Sequence, residues 1–203
     1  TPDPAYRVHS NGQVFNLLDA RIIDAEYSYA LDRIIAVSDQ PYQLLIIAPE
    51  TMEIQSVPLP RLPTSVSVAP NGSYAAVGHF KLVSYIDLQT ASVFSILNVD
   101  TEAGDIVLGD GDWIYIIPAY DGRGGSHAVN ITTSQDFSSG RIRTGSAYKM
   151  HPSGRTMYGT GRGLSRARIE RAVFDEDGLI DELIYPPEQQ DYPACGNLWI
   201  SRD

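Results

Sequence analysis

A hairpin sequence in the first half of the chain decides the fold: Val66-Ser67-Val68-Ala69-Pro70-Asn71-Gly72-Ser73-Tyr74-Ala75-Ala76-Val77. Two alternating apolar stretches flank a short polar turn. The Asn-Gly pair supplies the positive φ that a tight antiparallel reversal needs. Pro70 ends the first stretch because proline cannot donate to a strand ladder. The small apolar side chains on both sides suit strands that are buried between sheets.

The same pattern recurs along the chain at intervals of about forty residues. Its turns fall at Asp32, Gly72, Gly111 and Gly154. A second hairpin follows each first one, as in Val83 to Leu88 and Ser92 to Leu97 around the turn Gln89-Thr90-Ala91. Each repeat therefore predicts four antiparallel strands, which is the length and strand count of a β-propeller blade. A β-sandwich is the alternative, and the regular spacing disfavours it.

The predicted architecture is a single all-β domain over residues 1–203, with about four full blades and two partial ones. We expect a partial blade at 1–20, full blades at 25–60, 64–100, 104–144 and 146–187, and the first strand of a further blade at 196–203. Propellers close with whole blades. We therefore expect the chain to be an incomplete ring, part of a seven- or eight-bladed propeller. Downstream residues, a second chain or a symmetry mate would supply the missing strands.

The charge and composition of the chain limit the classes of partner that it could bind. The formal net charge is −10 and the sequence pI is about 4.7, so phosphate backbones and anionic membrane surfaces would be repelled. No apolar stretch approaches the roughly 18 residues that cross a bilayer. Cys195 is the only cysteine, so a disulfide within the chain is excluded. These observations predict a partner other than nucleic acid and a chain without a membrane span.

One repeat family matches these residues. The run Leu45 to Glu53, followed by Leu62 to Val77, resembles the YVTN-type propeller repeat, which is also similar to WD repeats. Ser84 to Thr90 and His151 to Tyr158 fit the same pattern. The resemblance covers roughly residues 25 to 203 and implies a blade scaffold, found in surface-layer proteins, secreted proteins and lactonase-like or redox enzymes. Scaffold motifs of this kind do not specify an activity, but they imply an extracellular, cell-surface or periplasmic location.

Two glycine-rich segments, 122–126 and 159–163, indicate loops between the second and third strands of their blades. Such loops lie on one face of a propeller, where partners commonly bind. Cationic and hydrogen-bonding side chains accompany them, and we predict a binding surface formed by Arg123, His127, Arg162 and Arg166. Phosphate binding is disfavoured, because phosphate loops need a helix after the glycines.

Acidic turns offer a second kind of site. Asp110 and Asp112 flank a glycine between two inner strands, and paired carboxylates of this kind could bind a divalent metal such as calcium. The spacing of an EF-hand is absent, and Asp-Gly is also an ordinary reversal signal. Both interpretations remain open from the sequence.

The functional prediction is a secreted or surface-exposed binding module without catalytic activity of its own, because no catalytic motif stands out. Its ligand would be a protein or a glycan. One alternative is part of a propeller enzyme, such as a lactonase-like hydrolase or a redox enzyme, with its active site at the central channel. The other is a subunit of an extracellular assembly that another chain completes.

Overall fold

The computed structural model describes residues 6–10, 13–119, 126–139, 146–161, 169–174 and 180–184. Within them the prediction of an all-β fold is confirmed, since the only helical element is a three-residue 3₁₀ turn at Asp110–Asp112. No described helix has the length and apolarity needed to span a membrane. The strands are β1 Tyr6–Ser10, β2 Gln13–Leu17, β3 Ile22–Ser28, β4 Arg33–Asp39, β5 Tyr42–Ile47, β6 Ile54–Pro58, β7 Pro63–Val68, β8 Tyr74–Asp87, β9 Ser92–Leu108, β10 Trp113–Pro118, β11 Ser126–Asn130, β12 Asp136–Ser139, β13 Ser146–Met150, β14 Thr156–Gly161, β15 Ile169–Phe174 and β16 Ile180–Ile184.

All of the strand pairs are antiparallel. β1 pairs with β2, β3 to β6 form one four-stranded sheet, β13 to β16 form another, and β7 to β12 form a six-stranded sheet in chain order. Each described strand therefore pairs with at least one of its neighbours along the chain. This is the connectivity that short turns between successive strands produce.

β8 folds back on itself as a hairpin. A straight strand of 14 residues would be about 46 Å long, yet Leu88 N donates to Ser73 O over 3.1 Å at its two ends. The reversal lies at Phe80 and Lys81, where Lys81 has a φ of 57°. The arm 74–79 pairs with β7, and the arm 82–87 pairs with β9. The six-stranded sheet is therefore bent at this point.

β9 joins two halves of that sheet. Its residues 92–98 pair with the second arm of β8, and its residues 103–108 pair with β10. The described sheets thus contain four successive four-stranded units. Unit 1 is β3 to β6. Unit 2 is β7, the two arms of β8 and residues 92–98. Unit 3 is residues 103–108 with β10 to β12, and unit 4 is β13 to β16.

Consecutive units pack face to face, because side chains alternate across each strand. In unit 1, Ile35 and Val37 face unit 2, whereas Ala36 faces the opposite side. In unit 3, Ile106 and Leu108 face unit 2, whereas Val107 faces unit 4. Three apolar cores are therefore shared between neighbouring units, whereas Ala36 and Leu45 on the other face of unit 1 pack with Leu18 and Ala20. The members of the shared cores are buried, as Ile35, Leu108 and Met157 illustrate at 0% exposure.

The first strands of consecutive units are linked by a recurring hydrogen bond from a backbone amide to a side chain. Val66 N donates to Asp24 Oδ2 over 2.9 Å. Leu108 N donates to Ser67 Oγ over 3.1 Å, and Tyr148 N donates to Asp105 Oδ2 over 2.7 Å. These bonds satisfy backbone donors at the edge of each sheet, which would otherwise be buried without a partner.

The second glycine-rich segment differs from the prediction of a loop. Gly159 and Gly161 belong to β14 and pair with Tyr148 and Ser146 of β13. A Cβ at Gly159 would overlap the ring of Tyr148, so the glycine leaves space for an aromatic side chain on the neighbouring strand. Residues 162 and 163 of that segment lie outside the described residues.

Candidate functional site

The two ends of each four-stranded unit differ, and we call them the turn end and the loop end. At the turn end, the first reversal of one unit contacts that of the next: the position of a Cβ on Gly72 would be 2.9 Å from Leu31 Cγ. At the loop end, the connection between units lies beside the reversal between the second and third strands. Arg61 Nη1 donates to Phe80 O there, over 3.1 Å. The candidate functional site is at this loop end.

The tip of the β8 hairpin presents an exposed aromatic side chain. Phe80 is 58% exposed, and the Nζ atom of Lys81 lies 5.9 Å from the centroid of its ring. Arg61 and Leu62 of the adjoining connection are also exposed, Leu62 by 48%. We refer to Arg61, Leu62, Phe80 and Lys81 as the loop-end patch. It combines apolar surface with two cations on a chain whose net charge is −10.

A buried histidine fixes the patch. His79 is 0% exposed and lies directly before Phe80. Its Nδ1 is 3.1 Å from Leu62 O, and its Nε2 is 3.0 Å from Ser84 Oγ. Because a carbonyl oxygen only accepts, Nδ1 carries the proton and Nε2 accepts from the Ser84 hydroxyl. The ring thus ties the inter-unit connection to both arms of β8.

The environment of His79 keeps the ring neutral. Burial lowers its pKa from the usual value, and the nearby charge of Arg61 acts in the same direction, against the hydrogen bonds to backbone. A neutral, fully bonded imidazole is a structural support. Phe80 and Lys81 are therefore held on a fixed hairpin tip, which lowers the ordering entropy that a partner would have to overcome.

The residues predicted from the sequence have different positions. His127 is the second residue of β11 in unit 3, where its Nδ1 is 3.2 Å from Asp136 Oδ1. That pair lies across β11 and β12, and no contact joins it to the loop-end patch among the described residues. Arg123, Arg162 and Arg166 lie outside the described residues, so the predicted surface stays a prediction.

Asp112 has hydrogen-bond donors at both of its carboxylate oxygens. The Tyr85 hydroxyl donates to Oδ1 over 3.0 Å, and the Thr132 hydroxyl donates to Oδ2 over 2.8 Å. Burial raises the pKa of Tyr85, and the charge of Asp112 and the hydrogen bond to it act in the same direction. The two bonds link the second hairpin of unit 2 to the turn of unit 3. Asp110 lies against Gly154 of unit 4, to whose carbonyl its amide donates over 3.0 Å.

Asp110 and Asp112, at which the sequence predicts a calcium site, therefore both already contact other parts of the fold. Within the described ranges, no group of three or more His, Cys, Asp or Glu side chains could hold a metal ion.

A charged pair lies between the first strands of units 1 and 4. Glu26 Oε2 on β3 is 3.8 Å from Lys149 Nζ on β13, and the Glu26 side chain is 20% exposed. That oxygen is buried and accepts no hydrogen bond. Burial raises the pKa of Glu26, whereas the Lys149 charge and the Ser67 hydroxyl lower it. The pair shows that the inner edges of the first and fourth units approach each other.

Sequence reasoning did not find the loop-end patch. Hairpin turns are recognised by glycine, asparagine or aspartate, and Phe80-Lys81 contains none of them. The available signal was weaker: an aromatic and a basic residue between two apolar runs that both read as strands.

No protein-family model and no curated protein matches the chain. Solved structures do resemble it. Hydrazine synthase of Kuenenia stuttgartiensis is 14% identical, with a TM-score of 0.65 over 88% of this chain and 53% of that protein's chain. A structural genomics protein of unknown function from Bacteroides thetaiotaomicron VPI-5482 is 11% identical, with a TM-score of 0.56 over 82% and 43% of the two chains. The chain thus spans about half the length of these proteins, and the likeness concerns the fold.

Proposed function

We propose that the chain is a segment of a YVTN-type β-propeller that acts as a binding module, secreted or exposed at a cell surface, and that it recognises an acidic protein segment at its loop end. The loop-end patch is the observation that supports this function. Its exposed ring offers apolar contact area, and Arg61 and Lys81 would attract carboxylates beside the ring.

The Glu26–Lys149 contact supports the propeller arrangement. Packed sheets lie about 10 Å apart, so units 1 and 4 of a straight stack would be about 30 Å apart. A lysine side chain cannot cover that distance, yet the two charged atoms are 3.8 Å apart. The inner edges of the units therefore converge, as blades do around a common axis. The hydrogen bonds of Asp24, Ser67 and Asp105 between successive first strands fit the same arrangement.

The rigidity of the patch supports binding in preference to a mobile gate. His79 holds the hairpin tip with both ring nitrogens, and Arg61 donates to the Phe80 carbonyl. Rigid aromatic anchors beside cations are typical of the residues that dominate protein interfaces. A partner with carboxylates beside an apolar side chain would match this surface in both apolarity and charge.

Panning a random dodecapeptide library on the immobilised chain tests the function. We expect enrichment of peptides that combine Asp or Glu with an apolar residue. Phe80→Ser and Lys81→Asn should each weaken the binding of a selected peptide at least about tenfold, the loss of roughly 1.4 kcal/mol that one interface contact supplies. Asn is chosen because it tolerates the positive φ at position 81.

Phe94→Ser is the matched control, because Phe94 is 62% exposed but lies on the outer strand segment 92–98 of unit 2. It should leave peptide affinity unchanged. Raising the salt concentration should weaken binding if the two cations contribute. Peptides that bind the Phe80→Ser and Lys81→Asn variants as tightly as the parent would refute the proposed site. A glycan array runs in parallel: glycan binding that depends on Phe80 would overturn the assignment of a protein partner.

A further inference from the structure

A small cleft opens between units 1 and 2 at the turn end, away from the loop-end patch. Its floor is apolar, and its rim carries both a cation and an anion. The lining residues are Leu31, Arg33, Ile46, Ala48, Glu53, Gln55 and Leu88. Concave sites with an apolar floor and a few convergent polar groups are the usual form of small-molecule sites.

The cleft exists because a small residue separates two long ones. Ile34 pairs with Ile47 across β4 and β5, so the next position in the register places Arg33 opposite Ala48. On the other side, Ala48 N donates to Glu53 O over 2.9 Å. The three side chains therefore form a row across unit 1, with the methyl group of Ala48 in the middle. Ile46 of unit 1 and Leu88 of unit 2, which belong to the apolar core between the two units, also line the gap above that methyl group.

The two charges of the row do not neutralise each other. Arg33 and Glu53 lie on strands separated by one intervening strand, so their Cα atoms are about 10 Å apart. In the part of the chain that the structure describes, they form no ion pair with each other. Both charges can therefore act on a molecule that lies between them.

Arg33 is held in place for such a role. Its Nη1 donates to Asp32 O over 2.7 Å and to Leu31 O over 3.4 Å, which fixes the guanidinium beside the turn. The guanidinium has five N–H donors in total, so these bonds leave donors for a carboxylate. Arginine is the residue that best suits bidentate recognition of that group.

We propose that this cleft binds a free α-amino acid with an apolar side chain. Arg33 would pair with the α-carboxylate, Glu53 would pair with the α-ammonium, and the side chain would lie on Ile46 and Leu88. Gln55 on the same rim offers a further hydrogen-bonding group. A zwitterion satisfies both charges at once, which a simple acid or a simple amine cannot do.

Titration of the purified chain with L-leucine, followed by ligand-observed NMR, tests this site. Dissociation constants of about 1 mM are expected for a ligand with few heavy atoms. The matched ligands are 4-methylpentanoate, which lacks the ammonium group, and isoamylamine, which lacks the carboxylate. Each should bind at least about tenfold more weakly than leucine. Equal binding of either ligand would overturn the recognition of a zwitterion.

Three variants test the residues. Arg33→Gln and Glu53→Gln should each weaken leucine binding at least about tenfold, and Ala48→Val should abolish it by filling the gap while both charges remain. Circular dichroism would establish that each variant is folded, and Glu53→Gln alone suffices if Arg33→Gln unfolds. Arg61→Gln is the control, because it alters the loop-end patch and should leave leucine affinity unchanged. No leucine binding by the parent, or equal binding by the folded variants, would overturn the proposal without affecting the proposed peptide site.

Discussion

Asp24 provides a sharp test of how the units are joined. Its Oδ2 accepts a hydrogen bond of 2.9 Å from Val66 N, and Val66 is 0% exposed. In Asp24→Ala the Val66 amide, on a residue that is fully buried, would lose its hydrogen-bond partner. Losing a hydrogen bond to a charged group costs about 1.5–3 kcal/mol. Removing the Asp24 charge also relieves its repulsion of Glu26, which offsets part of that cost. A net loss of about 2 kcal/mol in the free energy of unfolding follows.

Urea denaturation followed by circular dichroism measures this loss, and thermal unfolding should show a midpoint lower by about 4–8 °C for a chain of this length. Asp24→Asn retains an oxygen acceptor and should lose about 1 kcal/mol or less. Asp100→Ala, at an exposed position, should change stability by no more than about 0.5 kcal/mol. Hydrogen exchange at the Val66 amide should accelerate in Asp24→Ala alone. The reasoning would be refuted if Asp24→Ala and Asp100→Ala had the same stability and the same exchange rate at Val66.

Two further predictions concern pH and backbone strain. Because the pKa of His79 is lowered in the folded chain, the unfolded chain binds a proton first as the pH falls below about 6.5. The free energy of unfolding should therefore decline from that pH down to the lowered pKa, as measured by urea denaturation at a series of pH values. His79→Gln should flatten that part of the profile. Gly72→Ala should lose more than the roughly 1–2 kcal/mol that positive φ costs an L-residue, because its Cβ would crowd Leu31 at 2.9 Å. Gly111→Ala, also at positive φ but with no atom nearer than Trp113 Cδ1 at 3.7 Å, should pay the backbone cost alone in the same assay, and equal losses would contradict the crowding.

The all-β class was accessible from the sequence because its signals are local. Alternating apolar residues and Asn-Gly or Ser-Gly turns indicate antiparallel hairpins wherever they occur. Gly72 and Gly154, two of the turn glycines, have positive φ values of 73° and 77°. Turn chemistry therefore predicts backbone conformation well when the strain falls on a glycine.

Features that depend on tertiary packing were not accessible in this way. The repeat predicts a reversal between Val77 and Val83, but its tip at Phe80 and Lys81 has no turn residue. The contacts of His79 with Leu62 and Ser84 that hold this tip were not predictable. The pattern around Gly159 predicts a loop, but the glycine lies in β14, where its lack of a side chain accommodates the ring of Tyr148 on the adjacent strand β13. The cleft beside Ala48 arises only when unit 2 covers it. Each of these features is decided by residues that lie far away in the sequence or on another strand.

The sharing of apolar cores between neighbouring units has a consequence for how this chain could be divided. A single excised unit would expose one half of two cores to water, whereas two adjacent units would keep one core complete. The smallest autonomous fragment is therefore expected to be a pair, and a cut inside a unit should be more damaging than one in a connection. Shuffling or duplication of such a chain would be most successful when it preserves the junctions.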